Sequence, residues 1–413
     1  TFNIEIAEKS TTRLGERDPL TGNLTQVAID RTLETLKRFK DLAESYKVEN
    51  IVIAATSAVR EAPNGRDFIY QIKDRVDLEV ELISGIEEAR LIYLGVLSGM
   101  QFKNQPHVLI DVGGGSTELI LADAHEPRAL TSTKIGAVQL KNDFIEHQPL
   151  TDQNRKFLNT FIQGSLEPAV DKILRRLKED EESLMIATSG TAMTIGALLR
   201  SEGRNQKSKL QGYKIYKSEL DRLVDKFLTM STDQMRRLTS LSERRSEIIL
   251  PGALILQTTM EMMNADEVLL SERSLREGLV VDWMFRNGYL EDRFSLQGSV
   301  RQRTVLHQAK RFRVNLGRSE RVAQHALTLY DNTFGVLHQD KGDGKDLLWA
   351  AAMLHACGQH INLSAYHKHS WYLIRHGELL GYSQSEHLIV AAIARYHRRS
   401  YPKKRHEAWK SLE

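Results

Sequence analysis

The sequence predicts an α/β protein that ends in an all-helical domain, and three observations carry that prediction. Segments of helical and strand period alternate over the first part of the chain, the pattern of α/β domains. The run VLIDVGGGSTELILAD, Val108 to Asp123, places apolar β-favouring segments on both sides of three glycines, so the glycines join strand to strand. From about Gln302 the strand patterns stop, and eleven of the fourteen histidines lie beyond residue 300, which marks the tail as a domain of a different kind.

The elements follow in order. Phe2, Ile4 and Ile6 alternate and read as a strand at the start of a chain that begins at Thr1 without Met. Ile29, Leu33, Leu36, Phe39, Ala43 and Tyr46 recur at three and four residues, an amphipathic helix. Val52 to Ala55 is a strand ended by Thr56-Ser57; Leu78 to Ile83 is another, with a helix starting at Ser84. After the Val108 hairpin come Gly136-Ala137-Val138 and a long helix from Asn154 to Lys178. A strand at Leu184–Ala187 then leads through Ser189-Gly190-Thr191 into another helix. Asp340 to Asp346 is a charged loop, and no low-complexity segment or short repeat is evident.

Bulk properties set limits. A length of 413 residues suits two to three domains. Hydrophobic content of 41% and charged content of 27% are those of an ordinary soluble protein. A formal charge of +3 is too small to imply a polyanion partner by itself, and no nucleic-acid partner is expected. The single cysteine, Cys357, excludes an internal disulfide and fits a reducing, cytoplasmic setting; its small apolar neighbours suit a buried, inert thiol. No apolar run reaches membrane-spanning length and no signal peptide is visible, so no membrane association is expected.

The Gly-rich hairpin is the first candidate for chemistry. A strand after the glycines excludes the Walker loop and the dinucleotide fingerprint, both of which need a helix there. Gly113, Gly114 and Gly115 allow positive φ and leave no Cβ in the way, so backbone N–H groups can turn around an anion, and Ser116 and Thr117 add hydroxyl donors. Asp111 and Glu118 flank the loop, placed to hold a cation or a water. The competing reading is a plain turn.

Three other segments join it. Ser84 with Glu87 fits a capping box, which gives Glu87 a structural role and leaves Glu88 to orient and deprotonate a water; the alternative is a solvated acid at a helix start. Arg60 closes a segment at a strand end, where α/β folds line their clefts, and its forked donors suit phosphate. Ser189, Gly190 and Thr191 precede a helix whose first N–H groups can take a second phosphate, with ordinary N-capping as the competing reading.

Together these pieces resemble the exopolyphosphatase/guanosine pentaphosphate phosphohydrolase family. RLGE at Arg13, AATSAVREAPNG at Ala54, ISGIEEARLIYLGV at Ile83, DVGGGSTELIL at Asp111, IGAVQL at Ile135, ATSGT at Ala187 and SERSLREGLV at Ser271 look like the family's blocks, in order. The resemblance implies an actin-like (ribonuclease-H-like) fold: two α/β lobes around a cleft, at 1–95 and 96–298, followed by an all-α HD-like domain at 299–413. It implies that Glu88 is the base, that Arg60 and the hairpin glycines meet phosphate, and that Asp111 and Glu118 lie at a magnesium ion.

The family opens with a strand and an Asp-x-Gly-Ser-Asn-Ser loop, which this sequence lacks before Thr1, and it usually continues past Glu413. The sequence thus reads as trimmed at both ends, which would leave the chain itself weakly active or inactive. In the tail, His325 and His355 fall where HD-type domains keep metal ligands, but the acid expected after His355 is Ala356. A carboxylate lost from such a site removes charge and a ligand, so a non-catalytic tail is expected, its histidines serving structure or polyanion contact. Arg398, Arg399, Lys403 and Lys404 are the candidate polyanion contacts, with a solvated basic face as the alternative.

The reading is a magnesium-dependent exopolyphosphatase that releases terminal orthophosphate from polyphosphate, expected as a cytoplasmic homodimer. Rivals are hydrolysis of guanosine pentaphosphate to tetraphosphate by the same residues, a non-enzymatic polyphosphate or alarmone sensor, and an actin-like sugar kinase.

Overall fold

The computed structural model describes residues 2, 4–102, 105–178, 180–202, 209–238, 243–290, 300–339, 343–377, 379, 382, 384–398, 401–404, 406–410 and 412. The chain divides into two compact units, one built from Phe2–Leu97 and Phe102–Glu291, the other from Ser98–Gln101 and Asp292–Glu413.

The first unit opens with α1 (Gln26–Ser45), a two-residue parallel pair β1 (Ala54–Ala55) and β2 (Glu81–Leu82), and the helices α2 (Ser57–Arg60), α3 (Gly65–Val76) and α4 (Gly85–Gly99). Ile29 and Leu33 of α1 pack with Phe68 and Ile72 of α3, as the periodicity requires. Both strands are shorter than the sequence suggests, and of the first residues Phe2, Ile4 and Ile6 are not in a strand. Ile4 and Ile6 are exposed, and among the described residues β1 and β2 pair with each other. Alternation sets which face a strand would bury, but a strand forms only against a neighbour's backbone.

A six-stranded sheet follows, with β3 (His107–Val112), β4 (Thr117–Ala122), β5 (Pro127–Thr133), β6 (Leu184–Thr188), β7 (Lys214–Tyr216) and β8 (Glu267–Leu270) in the order β5-β4-β3-β6-β8-β7. β3, β4 and β5 form an antiparallel meander, and β3, β6 and β8 run parallel. β3 and β4 are buried along their whole length, which explains why they read as continuous apolar runs. The remaining helices of the unit are α5 (Ala137–Phe144), α6 (Asp152–Leu174), α7 (Ser189–Glu202), α8 (Lys217–Thr229), α9 (Thr232–Arg236), α10 (Glu243–Met262) and α11 (Leu275–Arg286).

The second unit is helical: α12 (Val300–Arg311), α13 (Leu316–Asn332), α14 (Asp343–Leu354), α15 (Tyr366–His376), α16 (Gln384–Tyr396) and α17 (Glu407–Lys410), with a 3-10 turn at Cys357–His360. Its core is rich in alanine, Ala350 to Ala352 and Ala391 to Ala394, which lets the helices approach closely. Cys357 is buried and burial pushes its thiol up to about 12, an inert group. Among the described residues no helix is long and apolar enough to cross a membrane.

Candidate active site

The hairpin register brings two acids together. The Gly113 N–H bonds Ser116 O at 2.9 Å, which closes a tight turn and pairs Asp111 with Glu118 directly across the ladder. Residues so opposed lie on one face of the sheet, and like charges there repel. Asp111 is 8% exposed and Glu118 1%. Hydroxyls hold both: Ser274 Oγ donates to Asp111 Oδ2 at 2.6 Å, and Ser132 Oγ to Glu118 Oε1 at 2.7 Å. Neither bond supplies positive charge.

A third acid, Glu88 of α4, is 8% exposed and accepts from Arg60 Nη1 at 3.2 Å. Arg60 is oriented by a second bond, Nη1 to Ile83 O at 2.8 Å. Two glycines bring the supporting helices into backbone contact. A Cβ on Gly95 of α4 would lie 1.9 Å from Ser274 O, and one on Gly278 of α11 would lie 1.9 Å from Leu91 O. This crossing fixes Glu88 and Ser274 on one frame. Thr188 completes it from the end of β6, its hydroxyl donating toward Ser271 O and Arg273 O at 3.2 and 3.0 Å.

Protonation follows from this crowding. Burial pushes Asp111 up to about 6, against the Ser274 bond. Glu118 is pushed up to about 8, by burial first and then by the charges of Glu88 and Asp111. Glu88 is raised by burial, and the Arg60 guanidinium opposes the shift. Oxygen donors with surplus negative charge suit a hard divalent cation. Among the described residues no three His, Cys, Asp or Glu groups form a ready ligand set, so Asp111 and Glu118 would supply two positions and water or phosphate oxygens the rest.

The sign of the pH dependence is fixed. A carboxyl with a raised folded pKa stabilises the fold fully below its unfolded pKa, and that contribution is lost as pH rises through the folded value. Without divalent cation, Tm should therefore fall from about pH 4 to pH 8 as Asp111 and Glu118 ionise. Added Mg2+ should raise Tm much more at pH 8.5 than at pH 5.5, as thermal denaturation at both pH values will show; an equal rise at both would count against a cation between these acids.

The glycine loop presents N–H groups for a reason other than the expected one. None of Gly113, Gly114 and Gly115 has positive φ. Their carbonyls are clasped by the first turn of α5: Ala137 N–H to Gly113 O, and Val138 and Gln139 N–H to Gly114 O, at 2.9 to 3.0 Å. In a trans peptide the next N–H points the opposite way, so the N–H groups of Gly114 and Gly115 face away from α5. Glycine is required by close approach, since a Cβ on Gly115 would lie 2.7 Å from Ser57 Oγ, and one on Gly136 2.4 Å from the Gly114 carbonyl. Gly114→Val should weaken orthophosphate binding at least tenfold, because its Cβ already meets Val138 Cγ2 at 3.3 Å and the branched side chain must push the loop off the first turn of α5, which orients its N–H groups. Unchanged phosphate affinity in an equilibrium titration would reduce the loop to a turn.

Other expectations are corrected. Thr117 is fully buried and its hydroxyl donates to Ile135 O at 2.7 Å, while the Ser116 hydroxyl bonds the Glu118 carboxylate, so neither is an outward donor. Only the first half of the Ser84 box forms, Glu87 N–H to Ser84 Oγ at 3.1 Å. The Glu87 carboxylate instead grips Arg90 at 2.8 and 2.7 Å, and Arg90 reaches Asp282 on α11 at 2.6 Å. The longer ion-pair partner wins because Arg90 lies one turn ahead on the same helix face.

At α7 the Ser189 hydroxyl accepts from Thr191 and Ala192 N–H, the capping alternative, and the Thr191 hydroxyl turns to Val112 O at 3.4 Å. Arg245 lies beside this helix start, so close that a Cβ on Gly190 would be 2.2 Å from its Nη2. Ser132 and Arg245 have no local signature, and Ser274 carries only the helix-start pattern S-x-x-E inside the block at Ser271.

Comparison with known proteins decides the lineage. The description "Ppx/GppA phosphatase family" matches residues 2–287, and "Ppx/GppA phosphatase, domain III" matches residues 300–413. The chain belongs to the Ppx/GppA phosphatase family. Among curated Ppx/GppA relatives, a guanosine-5'-triphosphate,3'-diphosphate pyrophosphatase of Pseudoalteromonas atlantica is 28% identical over 376 residues, covering 91% of this chain and 71% of the relative. An exopolyphosphatase structure from Cytophaga hutchinsonii is 26% identical with a TM-score of 0.63, covering 68% of this chain and 89% of its own. A Ppx/GppA structure from Aquifex aeolicus is 28% identical with a TM-score of 0.56, covering 67% and 87%. The Ppx/GppA fold class is thus the one the motif blocks implied: an actin-like α/β part followed by a helical domain.

Proposed function

We propose that the chain is an exopolyphosphatase, releasing terminal orthophosphate from inorganic polyphosphate by metal-assisted attack of water. The observation that carries this reading is the buried Asp111–Glu118 cross-strand pair, with Glu88 on Arg60 beside it and the Gly114 and Gly115 N–H groups turned away from α5. Those N–H groups hold the terminal phosphate. Asp111 and Glu118 would hold Mg2+, which supplies charge neutralisation on the phosphate oxygens when bound. Arg60 meets the charge that builds on the transferring phosphoryl group. Glu88, raised above the usual carboxylate value by burial, positions the water and takes its proton. At α7 the Gly190 N–H and the adjacent Arg245 meet the next phosphate, between Ser189 and Thr191. A lobe boundary near residue 95, a cytoplasmic location and a homodimer belong to the same reading.

The curated relatives, guanosine-5'-triphosphate,3'-diphosphate pyrophosphatases, favour a second substrate, guanosine pentaphosphate, on the same residues. The deciding experiment measures phosphate release from long polyphosphate, guanosine pentaphosphate and ATP, with and without magnesium. Magnesium-dependent release from polyphosphate is expected; turnover of ATP alone with an acceptor alcohol would favour a kinase, and binding with no release a sensor.

The basic tail adds affinity for long chains. Lys403 and Lys404 are exposed and Arg398 lies over the Tyr366 ring at 5.0 Å; Arg399 is outside the described residues. Each phosphate charge neutralised releases counterions, so neutralising Arg398, Arg399, Lys403 and Lys404 together should weaken long polyphosphate, flatten its salt dependence and leave short substrates nearly unchanged. A salt series on both substrates tests this; an unaltered slope leaves only a solvated basic face.

A further inference from the structure

In the helical unit, a histidine–arginine cluster has no place in the proposed chemistry of the hairpin. His355 follows α14, is 6% exposed, and its Nδ1 bonds Ala352 O at 2.6 Å. His397 follows α16, and its Nδ1 bonds Ala394 O at 2.8 Å. A carbonyl only accepts, so both Nδ1 atoms carry the hydrogen and each neutral ring keeps a lone pair on Nε2. Tyr366, at the start of α15, puts its hydroxyl 3.1 Å from His397 Nε2 and therefore donates to it. The two imidazoles meet edge to face at 5.1 Å between ring centres. The His355 Nε2 is left as an acceptor without a hydrogen-bond donor among the described residues.

Among the described residues, the guanidiniums that act on these rings are those of Arg318 and Arg398. Arg398 also lies over the Tyr366 ring, and the buried imidazole of His367 on α15 lies 6.5 Å from His397 between ring centres. Neither Arg318 nor Arg398 is ion-paired among the described residues, and the residue after His355 is Ala356. The start of α15 adds the same sign: its N-cap is Ala365, at φ 54°, with no side chain to accept from the first-turn N–H groups. The frame is rigid. The Ser370 hydroxyl donates to His355 O at 2.7 Å and accepts from Gly358 N–H at 2.9 Å.

Two guanidiniums and a helix start ask for an anion, while the lone pair on His355 asks for a hydrogen-bond donor. One common anion offers both. A phosphate bearing a P–O–H group accepts from arginine through its charged oxygens and donates its hydroxyl to an imidazole nitrogen. We propose that His355, Tyr366, His397, Arg318 and Arg398 form a binding site for a protonated phosphate oxyanion, either free orthophosphate or the terminal group of a phosphate chain. The site is separate in sequence from the hairpin and stands whether or not the hairpin is catalytic. Sulfate has the same size and charge but carries no proton near neutral pH, and is the natural control.

The test follows the imidazole C–H resonances of His355 and His397 in the full chain, titrated with inorganic phosphate, tripolyphosphate and sulfate at pH 7. Both resonances should move saturably with phosphate, and sulfate should bind about tenfold more weakly because it leaves the His355 Nε2 unmet. Arg318→Gln, an exposed change that the fold should accept, should weaken phosphate about five- to tenfold. Tighter tripolyphosphate than orthophosphate identifies a chain end as the occupant; the reverse identifies the free product. The Gly114 and Gly115 amides report the hairpin in the same samples, so loss of one site is distinguishable from loss of the other. Imidazoles that do not respond, sulfate as tight as phosphate, or an unaffected Arg318→Gln variant would each overturn the proposal.

Discussion

Glu88→Gln should lower phosphate release by about 10²–10⁴-fold, the usual loss for a positioned base, without lowering Tm. The amide matches the carboxylate in size and can still accept from Arg60, but it takes no proton. It also removes one of three crowded acids, so stability has no reason to fall. Glu87→Gln is the control, one residue earlier on the same helix. Its carboxylate serves Arg90 and through it Asp282, and it lies on the other side of the first turn. It should keep activity within about threefold and cost roughly 0.5–1 kcal/mol of stability, the range for partly exposed ion pairs. Initial rates and thermal melts on both variants suffice. Equal losses of activity would remove Glu88 from its role.

The sequence indicated Glu88 for a reason that was half right. A capping box was expected to occupy Glu87; the structure occupies it with Arg90 instead, and Asp282 joins from 192 residues away. Local spacing shows that an acid has a partner within one turn but not which partner wins. The hairpin was legible because its signal is local: two apolar runs, a glycine turn, and an acid on each side. The strand pairing that turns those acids into a buried pair follows from the turn alone. The hydroxyls that hold them were not legible, because Ser132 and Ser274 arrive from β5 and α11 by tertiary packing. The strand expected at Phe2 to Ile6 failed for the complementary reason, since alternation predicts a face and says nothing of a neighbour. The missing Cβ of these glycines permits contact here, not positive φ.

Asp111→Asn should move activity and stability in opposite directions. The carboxylate is buried, opposite Glu118, and burial raises it to about 6, so at pH 8 the fold without cation carries an ionised acid it would rather keep neutral. An amide of the same shape can keep the Ser274 bond and lacks the charge. Relief of that shift should stabilise the cation-free protein by about 1–3 kcal/mol at pH 8, since one pKa unit is worth about 1.4 kcal/mol. The gain should vanish near pH 4, where the parent carboxyl is protonated as well. Activity should fall by about 10²–10³-fold, because a lost cation forfeits several kcal/mol of charge stabilisation on the phosphate. Mg2+ should no longer raise Tm. A merely structural Asp111 makes the contrary forecast: the amide would keep the packing, leave the magnesium response intact and change activity little. Thermal melts at pH 4 and pH 8, with and without Mg2+, separate the two, and a variant that is less stable at pH 8 would show that the acid pair is not under electrostatic strain.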